Sequence, residues 1–167
     1  MPGKDTPGDT DSRVQALNHT LAAQSTLMSA TAGTDIDWTM LAAIGIKETG
    51  FQNKLQNGGA GVGVFQIDLG KNPNVRVQQA SDLTWAANWA VSMLTGNELR
   101  IGNALPRSLS PDQLQWMLAA SWNTGAQGQI NRYNMGRSPD YHTSPHGDGT
   151  FGNNYGTNIL ELMDCFR

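Results

Sequence analysis

Residues 37–51 read DWTMLAAIGIKETGF, a stretch with almost no charged residue before Lys47. Nearly every position from Trp38 to Ile46 is apolar or small, without the polar stripe that a surface helix turns towards solvent. A helix that is apolar almost all round must be covered by the rest of its domain. We therefore predict a buried central helix, with the other elements packed around it.

Both ends of this helix carry recognisable signals. Asp35 or Asp37 can accept a hydrogen bond from the first free backbone amides, as N-cap residues do. Thr49 and Gly50 form a suitable end, because glycine readily adopts the left-handed conformation that terminates many helices. These limits place Glu48 in the last turn.

The chain is expected to form one domain behind a short arm. Residues 1–12 are polar and rich in proline, glycine and aspartate, which predicts a disordered N-terminal arm. After the arm, Val14, Leu17 and Leu21 recur three and four positions apart and predict a helix that uses them as its apolar face. Residues 13–167 are long enough to bury a core and too few for two full domains.

Further helices are predicted by the same spacing of apolar residues. The clearest start is Ser110-Pro111-Asp112-Gln113, which combines an N-cap serine, a first-turn proline and a glutamine placed to complete a capping box. A short helical segment through Tyr133 can follow Gly125. With the first helix included, the predicted helices cover residues 12–30, 38–49, 81–97, 110–122 and 154–166.

One segment has a different character. Residues 57–70 contain five glycines and alternate Val62 and Val64 with residues of the other face, which predicts a short hairpin or an extended cleft segment. The predicted fold class is therefore mainly α, an α+β arrangement in which a helical bundle surrounds the buried helix and one small β-hairpin.

Charge and composition exclude several classes of function. The formal net charge is −3 and the basic residues form no stripe, so we expect no nucleic-acid partner. No apolar run approaches the roughly 20 residues that span a bilayer, so we expect no membrane partner. The first residues lack the apolar core of a signal peptide, which predicts export by another route or excision from a larger secreted protein.

Glu48 is the candidate general acid. Cleavage of a glycosidic bond needs a carboxylic acid that stays protonated near neutral pH, and apolar surroundings raise the pKa of a carboxyl by desolvation. Glu48 ends an apolar helix and is followed by Phe51, which suits that requirement. The alternative is an ordinary solvated glutamate in a last helical turn.

Three segments in order extend this interpretation. Residues 47–51 (KETGF), 61–68 (GVGVFQID) and 120–125 (ASWNTG) resemble motifs of goose-type lysozymes and bacterial lytic transglycosylases. The resemblance covers about residues 36–165, although Val64-Phe65 replaces the usual Leu-Met pair. It implies a lysozyme-like fold and a muramidase that cleaves the β-1,4 bond between N-acetylmuramic acid and N-acetylglucosamine in peptidoglycan, with Glu48 as general acid.

The resemblance also bears on Asp68, because goose-type lysozymes carry an aspartate directly after the glutamine motif. It implies that Asp68 helps to position a water molecule on the sugar face opposite Glu48, as in an inverting hydrolase. The alternative is that Asp68 merely caps the loop at Gly70. Residues 56–60 lack the second aspartate that some members have, so a lytic transglycosylase that leaves anhydromuramic ends stays open.

Substrate contacts follow from the same resemblance. It implies glycan binding by Gln66, Asn123 and Tyr155, the last at the start of the closing helix. Trp122 takes the place of the family's usual tyrosine and can either contact sugar or pack in the core. The other tryptophans on helical faces are expected in the core: Trp85, Trp89 and Trp116.

We expect no metal and no cofactor. His142 and His146 stand four apart with Asp140 and Asp148 nearby, but Pro145 precludes the regular helix that would align them, so a solvated loop is the preferred interpretation.

Two other functions are compatible with these residues. One is a catalytically silent lysozyme-like module that binds glycan strands, and the other is a chitin-directed hydrolase. We expect a monomer that acts on peptidoglycan strands in the periplasm or outside the cell. If the chain is the toxin domain of a secreted bacterial effector, a proteinaceous inhibitor or immunity protein would be a further partner.

Overall fold

The computed structural model describes residues 7–56, 58–105, 109–140 and 154–167, and within these ranges the predicted mainly helical fold with one small hairpin is confirmed. The elements in chain order are α1 (Pro7–Thr31), α2 (Trp38–Thr49), β1 (Gly61–Val62), β2 (Ile67–Asp68), α3 (Val77–Ser81), α4 (Leu83–Ala104), α5 (Pro111–Asn134) and α6 (Tyr155–Asp164). The chain divides into two compact units, Met1–Val91 and Ser92–Arg167.

The predicted limits of α2 are confirmed. Of the two candidate caps the structure uses Asp37, whose Oδ1 accepts a hydrogen bond from the Thr39 amide at 2.9 Å. Gly50 ends the helix in the left-handed conformation, with φ of 66°, and its amide donates to the Ile46 carbonyl at 2.8 Å. The core positions of α2 are buried as expected: Met40, Leu41, Ala42, Ala43 and Ile44.

Helix α1 packs against α2, but its predicted apolar face was wrong. Val14, Leu17 and Leu21 are 50, 37 and 54% exposed, whereas α1 buries another face. Most side chains of that face are small, which allows α1 to pack closely through it. The hydroxyl of the buried Thr20 is satisfied within the helix because it donates to the Ala16 carbonyl at 2.8 Å. The buried face comprises Ala16, Thr20, Ala23 and Leu27.

The start of α1 also differs from the prediction. The helix begins at Pro7 and includes residues 7–12, which the sequence assigned to a disordered arm. Proline suits the first position of a helix, since its φ is already near the helical value and its missing amide hydrogen has no partner there. Residues 1–6, the rest of the predicted arm, lie outside the described residues.

The hairpin forms where the sequence predicts it. Strands β1 and β2 pair antiparallel, with Gly61 opposite Asp68 and Val62 opposite Ile67. The preceding segment adds an isolated bridge between Leu55 and Val62. Gly63 has φ of 79°, and a Cβ built there would lie 2.0 Å from the Ala80 carbonyl oxygen, so only glycine lets the hairpin approach α3 this closely.

The predicted start of α5 is confirmed in detail. Ser110 Oγ accepts from the Gln113 amide at 3.1 Å, and Gln113 Oε1 accepts from the Ser110 amide at 3.0 Å, which completes the capping box. The predicted break appears as a kink at Gly125, where φ is 70° and ψ is 164°, and a second helical piece follows. Helix α6 packs against α5 and begins at Tyr155, as predicted.

Helix α4 starts as predicted and extends further. Asp82 caps it by accepting a hydrogen bond from the Trp85 amide at 2.7 Å. It continues to Ala104, beyond the predicted end near Asn97, because Ile101 prolongs its buried face into a cluster with residues of α5. The short α3 before it was not predicted from the sequence.

The close packing of side chains on Gly45, in the first unit, supplies a stability test. A Cβ at Gly45 would lie 2.7 Å from Cδ2 of Phe51 and 2.9 Å from Cγ1 of Val64. We expect Gly45→Ala to lower the free energy of unfolding by about 1–3 kcal/mol through overpacking. Urea denaturation measures this change.

Gly96→Ala is the matched control, because a Cβ at this helical position meets nothing within 4 Å. It should stabilise the protein by up to about 1 kcal/mol through helix propensity alone. Equal effects of the two substitutions would contradict the close approach at Gly45.

Candidate active site

Glu48 lies in the last turn of α2, as predicted, and is half-buried. The preceding Lys47 is exposed and the following Thr49 is buried, so this turn of the helix has one side in solvent and the other in the core. Glu48 therefore stands at the boundary of the apolar core, where a side chain can reach a ligand and still be partly shielded from water.

Thr49 ties this end of α2 to the hairpin loop. Its hydroxyl lies 3.0 Å from the Val64 carbonyl oxygen and 3.1 Å from the Gly45 carbonyl oxygen, and it accepts a hydrogen bond from the Gln52 amide at 3.0 Å. Thr49 is 8% exposed, so these bonds are shielded from competing water. One side chain thus fixes the backbone beside Glu48 to the segment between the two strands.

Phe51 makes the second connection. It has φ of 57°, a conformation that costs a residue other than glycine about 1–3 kcal/mol. Its ring is 5% exposed and packs on Gly45, and its amide donates to the Gly45 carbonyl at 3.0 Å. Packing of the ring offsets the backbone strain, and the chain leaves α2 in a fixed direction.

Asp68 ends β2 and is partly exposed. Its Oδ1 accepts hydrogen bonds from the amides of Gly70 at 2.9 Å and Lys71 at 3.2 Å. Its Oδ2 lies 3.6 Å from the exposed Lys71 ammonium. The carboxylate therefore caps the loop at Gly70, which was the alternative role considered for Asp68. These hydrogen bonds also fix the orientation of its second oxygen, Oδ2.

Gln66 serves the loop as well. It has φ of 49°, and its side-chain Nε2 donates to the carbonyls of Gly63 at 2.9 Å and Lys54 at 3.1 Å. Both amide hydrogens are thereby used inside the loop. Only the carbonyl oxygen of the Gln66 side chain is left as a group with which it could bind a glycan.

The other predicted contacts belong to the second unit. Trp122 is half-buried and Asn123 is exposed, both in α5 just before the kink at Gly125. Tyr155 is the first residue of α6 and is 8% exposed. Each unit thus carries part of the predicted set, with Glu48, Gln66 and Asp68 in the first.

The remaining tryptophans were expected in the core, and the structure places them at its edge. Trp85, Trp89 and Trp116 are all half-buried. Trp116 has a polar role in addition to packing, since its Nε1 donates to Asp140 Oδ2 at 3.0 Å.

Asp140 is the residue that sequence reasoning missed as part of the structure around Tyr155. It is 7% exposed, and its Oδ1 accepts from the Gly156 amide at 2.6 Å. Its Oδ2 accepts from the Thr157 amide at 3.0 Å and the Thr157 hydroxyl at 2.7 Å. Asp140 thus caps α6 from a distant position, which no local motif marks, because N-caps normally stand directly before the helix.

Arg132 supports Asp140 through the adjoining backbone. The Arg132 guanidinium and Gln129 Nε2 both donate to the Pro139 carbonyl. Burial lowers the pKa of Arg132 from its ordinary value, and the nearby Asp140 carboxylate partly opposes this change. The guanidinium stays charged beside the buried carboxylate.

Metal binding was not expected. Among the described residues there is no group of three or more histidine, cysteine, aspartate or glutamate side chains that could hold a metal ion. His142, His146 and Asp148, which the sequence assigned to a solvated loop, lie outside the described residues.

The link between Thr49 and the loop gives a second test. Thr49→Val removes the donor to the Val64 carbonyl and the acceptor of the Gln52 amide, so we expect the free energy of unfolding to fall by about 1–3 kcal/mol. Thr49→Ser keeps the hydroxyl and should cost less. Thermal or urea denaturation of both variants checks this, and a Thr49→Val protein as stable as the parent would refute it.

Comparison with known proteins does not add a family assignment. No protein-family model matches the sequence, and no curated protein matches it significantly. The interpretation of the site therefore rests on the residues and contacts described above and on the resemblance of the three motifs.

Proposed function

We propose that the protein is a peptidoglycan-cleaving muramidase that acts on the β-1,4 bond between N-acetylmuramic acid and N-acetylglucosamine, with Glu48 as general acid. The observation that carries the proposal is the position of Glu48, half-buried in the last turn of an apolar helix whose end is fixed to the hairpin. The motif resemblance supplies the substrate class.

Two features of α2 suit a general acid at Glu48. Buried residues form most of α2, including the apolar run from Met40 to Ile44, and partial desolvation disfavours a charged carboxyl. A helix C-terminus also carries partial negative charge, which disfavours a second negative charge beside it. A protonated Glu48 can donate its proton to the oxygen of the leaving sugar.

A general acid must also be held in place, because proton transfer needs the donor within hydrogen-bond reach of the leaving oxygen. The bonds of Thr49 and the packing of Phe51 on Gly45 restrict the backbone on the C-terminal side of Glu48. These contacts support a preorganised acid. The same arrangement includes the strained backbone conformation of Phe51, and such strain is common at functional sites.

Asp68 is the proposed partner that positions water for hydrolysis. Two backbone amides hold its Oδ1, so Oδ2 has a fixed direction in which it could accept a hydrogen bond from water. The alternative is a lytic transglycosylase in which Asp68 only caps the loop, and the lack of a second aspartate in residues 56–60 keeps this reaction open. In that reaction the muramic acid 6-hydroxyl attacks and an anhydromuramic end results.

Substrate binding is proposed for Gln66 through its remaining side-chain oxygen, for Asn123 and Tyr155 through their polar groups, and for Trp122 through its indole ring. The proposed substrate, peptidoglycan, implies that the protein acts in the periplasm or outside the cell. In the part of the chain that the structure describes, no helix combines the length and apolar character needed to cross a bilayer.

The decisive substitution is Glu48→Gln, which keeps the shape of the side chain and removes its acidic proton. We expect the rate of glycan release from purified peptidoglycan to fall by about 10²–10⁴-fold, the usual contribution of a general acid. The exposed Glu161 in α6 provides the matched control, Glu161→Gln, which should retain the parental rate. Equal rates for Glu48→Gln and the parent would eliminate the mechanism.

Mass spectrometry of the released fragments separates the reactions. A hydrolase gives reducing muramic ends, whereas a transglycosylase gives ends lighter by one water. Chitin oligomers run in parallel test the alternative substrate. Binding of glycan strands without any released fragments would indicate the silent module.

Asp68→Asn and Asp68→Ala distinguish water positioning from loop capping. The asparagine Oδ1 can still accept from the amides of Gly70 and Lys71, so we expect Asp68→Asn to keep its stability and lose hydrolysis by about tenfold or more. Asp68→Ala should also lose about 0.5–1.5 kcal/mol of stability. If Asp68→Asn kept the full rate of hydrolysis, the role of Asp68 would be limited to capping the loop.

A further inference from the structure

We propose that Asp140 is a positioning residue that sets glycan affinity through Tyr155. The inference rests on the proposed function, because it takes Tyr155 as a glycan contact. Asp140 is buried and belongs to the loop after α5, while Tyr155 opens α6. No contact between the two side chains is needed, since Asp140 holds the backbone that follows Tyr155.

The hydrogen bonds of Asp140 concentrate on the first turn of α6. Gly156 and Thr157, the two residues after Tyr155, donate their backbone amides to the two carboxylate oxygens at 2.6 and 3.0 Å. Asn154, which precedes the helix, makes no side-chain capping bond. The carboxylate therefore supplies the cap that α6 lacks locally, and its negative charge suits a helix N-terminus.

Two further contacts restrict lateral movement of this first turn of α6. Trp116 Nε1 donates to Asp140 Oδ2 at 3.0 Å, and a Cβ added at Gly156 would lie 2.8 Å from Trp116 Cδ1. The first turn of α6 is thus held between the carboxylate and the Trp116 ring. Tyr155 begins this turn, so a shift of the turn moves its side chain as well.

The carboxylate is itself well supported. Gln129 Nε2 lies 3.2 Å from the Pro139 carbonyl oxygen, to which Arg132 also donates, and the Asp140 amide donates to Ser138 Oγ at 3.1 Å. Helix α5 therefore holds the backbone on the N-terminal side of Asp140. Asp140 thereby links the position of α5 to that of the first turn of α6.

Asp140→Asn is an informative substitution because donors approach both carboxylate oxygens. An amide has only one acceptor oxygen, so its nitrogen must oppose at least one of these donors. With soluble un-cross-linked peptidoglycan strands as substrate, we expect KM to rise about tenfold, equivalent to the loss of one ordinary hydrogen bond. We expect kcat of the folded enzyme to change little.

Destabilisation alone would lower the active fraction and leave KM unchanged. Ser110→Ala is therefore the control, since it removes the cap of α5 and lowers stability without touching α6. If Asp140 acts through Tyr155, adding Asp140→Asn to Tyr155→Phe should raise KM no further. Amide hydrogen exchange at Gly156 and Thr157 should also become faster in Asp140→Asn.

The outcomes separate this inference from the proposed function. A parent protein that releases no fragments overturns both. An active parent whose Asp140→Asn variant keeps the parental KM, or whose KM effect persists in full beside Tyr155→Phe, overturns the positioning role alone. Unchanged amide exchange at Gly156 and Thr157 overturns the capping on which the role depends.

Discussion

The first unit depends on the close contact between α2 and the hairpin loop at Gly45. The absence of a side chain at this position lets the Phe51 ring and Val64 pack directly on the helix backbone. The Thr49 hydroxyl then joins the same helix end to the Val64 carbonyl. Packing and hydrogen bonding act at one place, so the chain can bear the unfavourable backbone conformation of Phe51 and the partial burial of Glu48.

Local signals explain why much of the fold could be predicted. The cap at Asp37, the left-handed Gly50 and the capping box at Ser110 each act within a few residues, and the structure contains all of them. The position of Glu48 in the last turn of α2 followed directly from those limits. At these positions a few neighbouring residues determine where each helix begins or ends.

Non-local contacts explain what the sequence did not reveal. Helix α1 offers two candidate faces, and the larger residues such as Leu21 are exposed while Ala23 is buried, because small residues allow a close helix contact. Asp140 bonds to amides 16 and 17 positions later, so no local pattern predicts its role. Asp68, by contrast, bonds to amides only two and three positions later, and capping of the loop at Gly70 was one of the two roles that the sequence offered for it.

The shortness of the hairpin has a consequence for how the protein loses its site. Each strand has two residues, so the ladder contributes few hydrogen bonds and the loop depends on contacts outside the ladder, including those with the end of α2. Movement of the hairpin away from α2 would break the Thr49–Val64 hydrogen bond and the packing of Val64 on Gly45 together. These contacts are therefore expected to form and break as one local unit, separately from global unfolding.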